Sequence, residues 1–138
     1  SIQIAARIVE TGIHKMKALG FDVKKIHSGY GTCPIAPVAK DDLQAIGRTN
    51  DCVLYGGKAF YLVEDEQDSI KEVVPGIPSS SSRDYGVPFL ELFNRYGNFY
   101  DIDPMLFSPA EIYVNNIANG RTYHAGQYNL EILQRLLS

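Results

Sequence analysis

The first twenty residues, SIQIAARIVETGIHKMKALG, constrain the chain more than any other stretch. Ile4, Ile8, Val9, Ile13, Met16 and Leu19 recur at the interval of an amphipathic helix, and Gly20 supplies a stop. Gly12 interrupts the pattern at ~1 kcal/mol of helix propensity, which marks a special backbone position. Arg7 and Glu10 fall three apart and so share one helical face, bordered by Ile4, Ala5, Ile8 and Val9. Two roles fit that pair. One is an exposed ion pair worth ~0.2–0.5 kcal/mol. The other is an acid–base pair, in which loss of water makes a partly buried Glu10 a stronger base and Arg7 orients it. Spacing alone leaves both open.

Phe21 to Ile26 reads as a strand, followed by a glycine- and proline-rich loop from His27 to Lys40. Asp41 and Asp42 suit a helix N-terminus, and the pattern predicts a helix to Ile46, ended by Gly47, with a turn over Arg48 to Asp51. Cys52 to Tyr55 and Lys58 to Val63 flank Gly56-Gly57 and read as a hairpin, or as one bulged strand. An acidic turn covers Glu64 to Asp68. The serine-rich stretch Pro75 to Phe89 reads as an ordered loop, with a linker as the alternative. Phe89 to Tyr96 is a short helix, and Leu130 to Leu137 closes the chain as another. Ala110 to Ile117 and Arg121 to Ala125 form a hairpin across Asn119-Gly120, the strongest turn signal present. The expected class is α+β, mixed helices with a largely antiparallel sheet.

At 138 residues and 45% hydrophobic, the chain can build one domain with a real core. A net charge of −3 and the lack of a basic, aromatic-interleaved stripe argue against nucleic acid as a partner. No apolar run approaches the ~20 residues of a membrane span. The opening residues show no basic leader or cleavage site, and a cytoplasmic location is expected. Beginning at Ser1, inside a helical pattern, the sequence reads as a processed or truncated product. Cys33 and Cys52 form no CxxC and read as reduced, with Cys33 a packing residue. His14, His27 and His124 lack metal-ligand spacing, so no metal site is expected. There is no GxGxxG, Walker or GxSxG motif, and Gly29-Tyr30-Gly31 is too short to count. The run Ser79 to Ser82 reads either as an oxyanion cradle of hydroxyls and backbone N–H groups or as a surface loop.

Several segments, taken in order, resemble the C-terminal part of the methenyltetrahydromethanopterin cyclohydrolase family. They are SIQIAARIVETG (Ser1 to Gly12), PIAPV (Pro34 to Val38), IGRTNDCVLYGG (Ile46 to Gly57), PSSSSRDYGVPF (Pro78 to Phe89), FYDID (Phe99 to Asp103), MLFSPAEI (Met105 to Ile112) and AGQYN (Ala125 to Asn129). The resemblance implies that residues 1–138 are the C-terminal half of a two-domain α/β enzyme with its pocket between the domains. It implies an R-x-x-E pair at Arg7 and Glu10, assisted by a lysine in an N-terminal half absent here. The implied reaction is reversible hydrolysis of a methenyl-tetrahydropterin to its N5-formyl form in one-carbon metabolism. The tetrahydromethanopterin derivative is substrate, and no prosthetic group is expected. Implied partners are this pterin, the N-terminal half, and further copies in a homotrimer. Ser79, Ser80, Ser81 and Tyr85 of the serine loop, with Gly56 and Gly57, are candidate substrate contacts. The alternative is a non-catalytic assembly half, inactive without the other.

Overall fold

The computed structural model describes residues 2–34 and 40–137, so the Pro34–Val38 segment lies outside the described residues beyond Pro34. Among the described residues the helices are α1 (Ile2–Ala18), α2 (Asp42–Gly56), α3 (Ile70–Val73), α4 (Phe89–Tyr96) and α5 (Leu130–Leu137). Strands β1 (Ile26–Thr32), β2 (Lys58–Val63), β3 (Glu111–Asn116) and β4 (Arg121–Gly126) make one sheet in the order β1-β2-β3-β4. The outer pairs are antiparallel and the central pair, β2 with β3, is parallel. The α+β class read from the sequence is borne out.

Period-two alternation divides the sheet into two faces. Ala59, Tyr61 and Val63 of β2 are buried beneath α1 with Ile112 and Val114 of β3, while Phe60 and Leu62 point outward. The helix lies close because glycine stands on both sides of the contact. A Cβ at Gly12 would come within 2.0 Å of the Tyr61 Oη, and one at Gly29, opposite Tyr61 in the register, within 2.8 Å of Val9 Cγ1. The hydroxyl of Tyr61 then donates to the Val9 carbonyl at 2.7 Å, tying α1 to the sheet. A second cluster joins Leu54 and Tyr55 of α2, Phe89 and Leu92 of α4, Leu106, and Ile132 of α5. Each such fully buried large side chain stabilises the fold by ~1.5–3 kcal/mol. On the outer sheet face, Tyr30, Phe60, Leu62 and Tyr113 line an open groove of about 380 Å³, with the Phe60 and Tyr113 rings stacked at 5.1 Å.

Three expectations are corrected. Phe21 to Ile26 is not a strand: the Asp22 carboxylate accepts from the Lys24 N–H and caps a 3-10 turn over Val23–Lys25. The strand begins at Ile26 and runs through Gly29 and Gly31, and Gly29 is the one that admits α1. Next, Asp41 caps α2 as expected, accepting from the Gln44 N–H at 2.8 Å, but the helix continues past Gly47 to Gly56. Gly47 is a packing residue, since a Cβ there would stand 3.3 Å from Leu90 Cβ. The turn-like residues after it are satisfied within the fold: Asn50 donates to the Ile46 carbonyl and Asp51 accepts from the Phe89 N–H. Finally, Gly56-Gly57 makes no hairpin, because β2 pairs antiparallel with β1 and residues 52–56 are helical. The helices at Phe89–Tyr96 and Leu130–Leu137 and the hairpin across Asn119-Gly120, with Gly120 at φ +73°, form as expected. The serine stretch is an ordered loop, with Ser79–Ser81 in a 3-10 turn and Ser79, Ser82 and Asp84 buried.

Candidate functional site

Helix α1 buries Ile8, Gly12 and Met16 and leaves Arg7, Glu10 and His14 on its open side. The Glu10 side chain is 72% exposed, and its carboxylate lies 3.9 Å from His14 Nε2, one turn along, rather than pairing with Arg7. Arg7 borders a cleft of about 340 Å³ shared with Ala45, Ile46, Thr49 and Asn50 of α2. An exposed pair of this kind is stabilised little by its own charges. Its acid–base use requires a covering wall that excludes water.

Further along α1, Lys15 turns inward and is only 3% exposed. Its ammonium donates to Ser81 Oγ at 3.1 Å and to the Met105 carbonyl. Burial pushes the Lys15 pKa down to about 8, against the opposing pull of Asp103. This one side chain links α1 to the serine loop and to the 3-10 turn Pro104–Leu106. The loop is held from its other side as well, since Ser82 Oγ donates to Asp103 Oδ2 at 2.7 Å and the Asp103 N–H to Asp84 Oδ2 at 2.7 Å. Thr11, His14 and Lys15 face Met105 and Phe107 across a cavity of about 300 Å³.

Of the expected substrate contacts, Ser81 is therefore brought to α1 through Lys15. Ser80 is exposed, and Ser79 is buried, its hydroxyl donating to the Leu54 carbonyl. Tyr85 stands apart from α1, its hydroxyl accepting from Asn129 Nδ2 at 3.2 Å and its ring 5.2 Å from that of Tyr55. Gly56 and Gly57 are both buried, where a Cβ would meet Pro34 Cγ at 2.8 Å and the Val53 carbonyl oxygen at 2.5 Å, so neither presents a surface in this chain.

The sequence reading missed Lys15 because a basic residue in the last turn of a helix already suits the dipole. It also missed a cross-strand cluster on the outer sheet face. There Glu111 accepts from Lys58 at 3.3 Å and sits 2.7 Å from His124 Nε2. Burial opposes ionisation of Glu111, but these partners outweigh it and hold its pKa below the usual range. Among the described residues, no group of three or more His, Cys, Asp or Glu is placed to hold a metal. Cys33 and Cys52 are free thiols, and Cys33 packs against the first core cluster.

A family model described as Cyclohydrolase (MCH) matches residues 1–137. Among curated proteins, the chain is 44% identical over 135 residues to one from Methanococcoides burtonii, covering 96% of this chain and 42% of that protein. It is 46% identical over 138 residues to one from Methanothermobacter marburgensis, covering 98% and 43%. A bacterial relative from Rhodopirellula baltica is 44% identical over 138 residues, covering 98% and 41%. All three are named methenyltetrahydromethanopterin cyclohydrolase, and the chain spans about two fifths of their length.

Proposed function

The chain belongs to the cyclohydrolase (MCH) family, and from that membership we propose that it supplies the Arg7–Glu10 wall of a methenyltetrahydromethanopterin cyclohydrolase. The observation that carries this reading is the R-x-x-E pair on one solvent-facing side of α1, in a chain that matches the family from end to end. The N-terminal half of the same enzyme is the proposed second wall, covering this side and bringing its lysine to the pair. A cytoplasmic homotrimer remains the expected assembly.

The substrate's methenyl carbon, shared between two nitrogens, is a cationic amidinium and already electrophilic. Glu10 accepts a proton from water as the oxygen bonds to that carbon. The tetrahedral adduct then collapses: the bond to N10 breaks, N10 takes the proton from Glu10, and the remaining hydroxyl proton leaves as the formyl carbonyl forms. One carboxylate thus serves as base and then acid. Arg7 orients the carboxylate and moderates the ground-state attraction between Glu10 and the cationic bridge, attraction which alone does not speed the reaction. Ser80 and Ser81 are the polar groups of the serine loop best placed to meet the rest of the substrate.

A second reading makes the chain an assembly half without activity of its own, and the 72% exposure of Glu10 favours it for the isolated chain. Turnover of methenyltetrahydromethanopterin, followed by its absorbance, separates the two. The chain mixed with an N-terminal half is expected to be active, and Glu10→Gln to lower kcat by about 10²–10⁴-fold, the usual worth of a general acid–base group. Near-normal kcat in Glu10→Gln would remove Glu10 from the mechanism.

A further inference from the structure

The fold brings together the two cysteines of the chain, Cys33 and Cys52, both free thiols. Strand β1 ends at Thr32, which pairs with Lys58 at the start of β2, and α2 ends just before that strand, at Gly56. The residues that leave β1 therefore run against the last turns of α2. Pro34 is seated on Gly56 itself, where a Cβ would meet Pro34 Cγ at 2.8 Å and Cδ at 2.9 Å. Cys52 lies one helical turn before Gly56 on the same face of α2, and Cys33 immediately precedes Pro34. The two thiols consequently face each other and share a side-chain hydrogen bond. Cys52 is 2% exposed, whereas Cys33 is half-buried and keeps some contact with solvent. A single buried cysteine packs as a small apolar side chain. Two sulfurs in contact, drawn from elements distant in sequence, stand close to the geometry that a disulfide demands.

We propose that Cys33 and Cys52 form a reversible disulfide site, oxidised by a small-molecule disulfide RSSR such as glutathione disulfide. Half-buried Cys33 is the sulfur that RSSR can reach. As the thiolate, the attacking species, it bonds to one sulfur of RSSR; the S–S bond breaks, and the departing RS⁻ takes up a proton equivalent to the one Cys33 gave up. Cys52 then loses its proton and attacks Cys33 in the mixed disulfide. The bond between Cys33 and RS breaks, and a second RSH leaves. The two protein thiols lose two electrons and two protons in all, and RSSR is reduced to two RSH. Burial reserves Cys52 for the second step, since the sulfur it must attack is already inside the fold. The new bond ties the end of β1 to α2, the helix that lines the cleft beside Arg7. It also closes the chain between residues 33 and 52, which restricts the unfolded state and makes the oxidised protein the more stable form. An excess of RSH reverses both exchanges.

The test equilibrates the 138-residue chain with glutathione at fixed total concentration and a rising oxidised fraction. Acid quenching, alkylation in denaturant and intact mass then count the free thiols. The expected result is a passage from two alkylated thiols to none, at monomer mass and with no glutathione retained. Peptide mapping should find Cys33 linked to Cys52, and thermal unfolding of the oxidised chain should move up by about 5–15 °C, returning on reduction. In Cys52→Ser the resolving sulfur is gone, and Cys33 should keep one glutathione. If that buried variant fails to fold, Cys33→Ser answers instead: its Cys52 should remain alkylatable, without glutathione, in the buffer that oxidises the parent fully. Two free thiols at the highest oxidised fraction, glutathione retained on the parent, a covalent dimer in place of the internal bond, or an unmoved Tm overturns the proposal. No pterin enters the test, so its result stands whether or not Glu10 proves catalytic.

Discussion

Replacing Gly12 by alanine tests how α1 is seated. The new methyl would stand 2.0 Å from Tyr61 Oη and 2.9 Å from Cζ, too close for any real contact. The ring has little freedom to retreat, since Tyr61 is buried and its other side meets Gly29 and β3. Overpacking of this kind costs ~1–3 kcal/mol, and displacing the hydroxyl from the Val9 carbonyl adds ~1 kcal/mol. Alanine returns ~1 kcal/mol in helix propensity. The net expectation is a loss of about 1–3 kcal/mol. Tyr61→Phe alone forfeits one hydrogen bond, ~1 kcal/mol, because the Val9 carbonyl retains its place in the helix. In the double variant the closest atom is gone; the helix-propensity gain offsets what remains of the 2.9 Å approach to Cζ, and the cost should fall to about that of Tyr61→Phe by itself. The two changes are therefore expected to be non-additive by ~2 kcal/mol. Urea unfolding followed by far-UV circular dichroism reads all four proteins, a suitable probe for a chain without tryptophan. Strict additivity, or a Gly12→Ala protein as stable as the parent, would refute the close seating of α1 on β2.

Three further changes probe buried charges. Burial raises the Asp51 pKa to about 7 against the opposing Phe89 N–H hydrogen bond, so its contribution to stability is greatest below the unfolded value near 4 and is lost as pH rises through 7. Asp51→Asn keeps an acceptor for Phe89 and should be ~2–4 kcal/mol more stable than the parent at pH 8, an advantage that shrinks on acidification toward pH 4 in paired denaturation curves. Lys15 has the opposite sign. Its folded pKa of about 8 lies below the unfolded value, so the parent should gain stability between pH 8 and 10.5, and Lys15→Met should be ~1–3 kcal/mol more stable at pH 7 with that slope removed. For Asp65, burial opposes ionisation, but hydrogen bonds from Ser69 and the Ile70 N–H, with the 3.0 Å contact to Lys25, outweigh it and lower the pKa. Its stabilisation is present above the unfolded pKa and lost as pH falls through the folded one. Asp65→Ala should cost about 3 kcal/mol in urea unfolding at pH 7 and leave a shallower acid transition.

What the sequence made legible was local. The apolar period of α1, the helical run Phe89 to Tyr96 of α4 and the Asn-Gly turn each act within a few residues, and those elements formed where expected. Gly47 misled because a glycine that ends a helix and a glycine that lets Leu90 approach look the same in sequence; only the tertiary contact distinguishes them. Gly29 weakened the strand pattern of β1 for the same reason, since it lets Val9 of α1 approach. In the candidate site, the spacing of Arg7 and Glu10 was readable, whereas their exposure was not. Lys15 was unreadable altogether, because its partners Ser81 and Met105 lie 66 and 90 residues away.

The parallel seam between β2 and β3 governs the order in which this chain can assemble. The β3–β4 hairpin closes across a short turn, at the microsecond pace of local pairing. The seam instead joins Lys58–Val63 to Glu111–Asn116, so it must wait for residues 64–110 to fold back across the sheet. That crossover contains the serine loop, α4 and the turn at Met105, and loop closure of this length carries its entropic penalty before any pairing is gained. Completion of the sheet and delivery of Ser81 and Met105 to Lys15 are consequently one late event. A nascent chain that has paired β1 with β2 and β3 with β4 still lacks the cavity beside α1, and acquires it only when the seam locks.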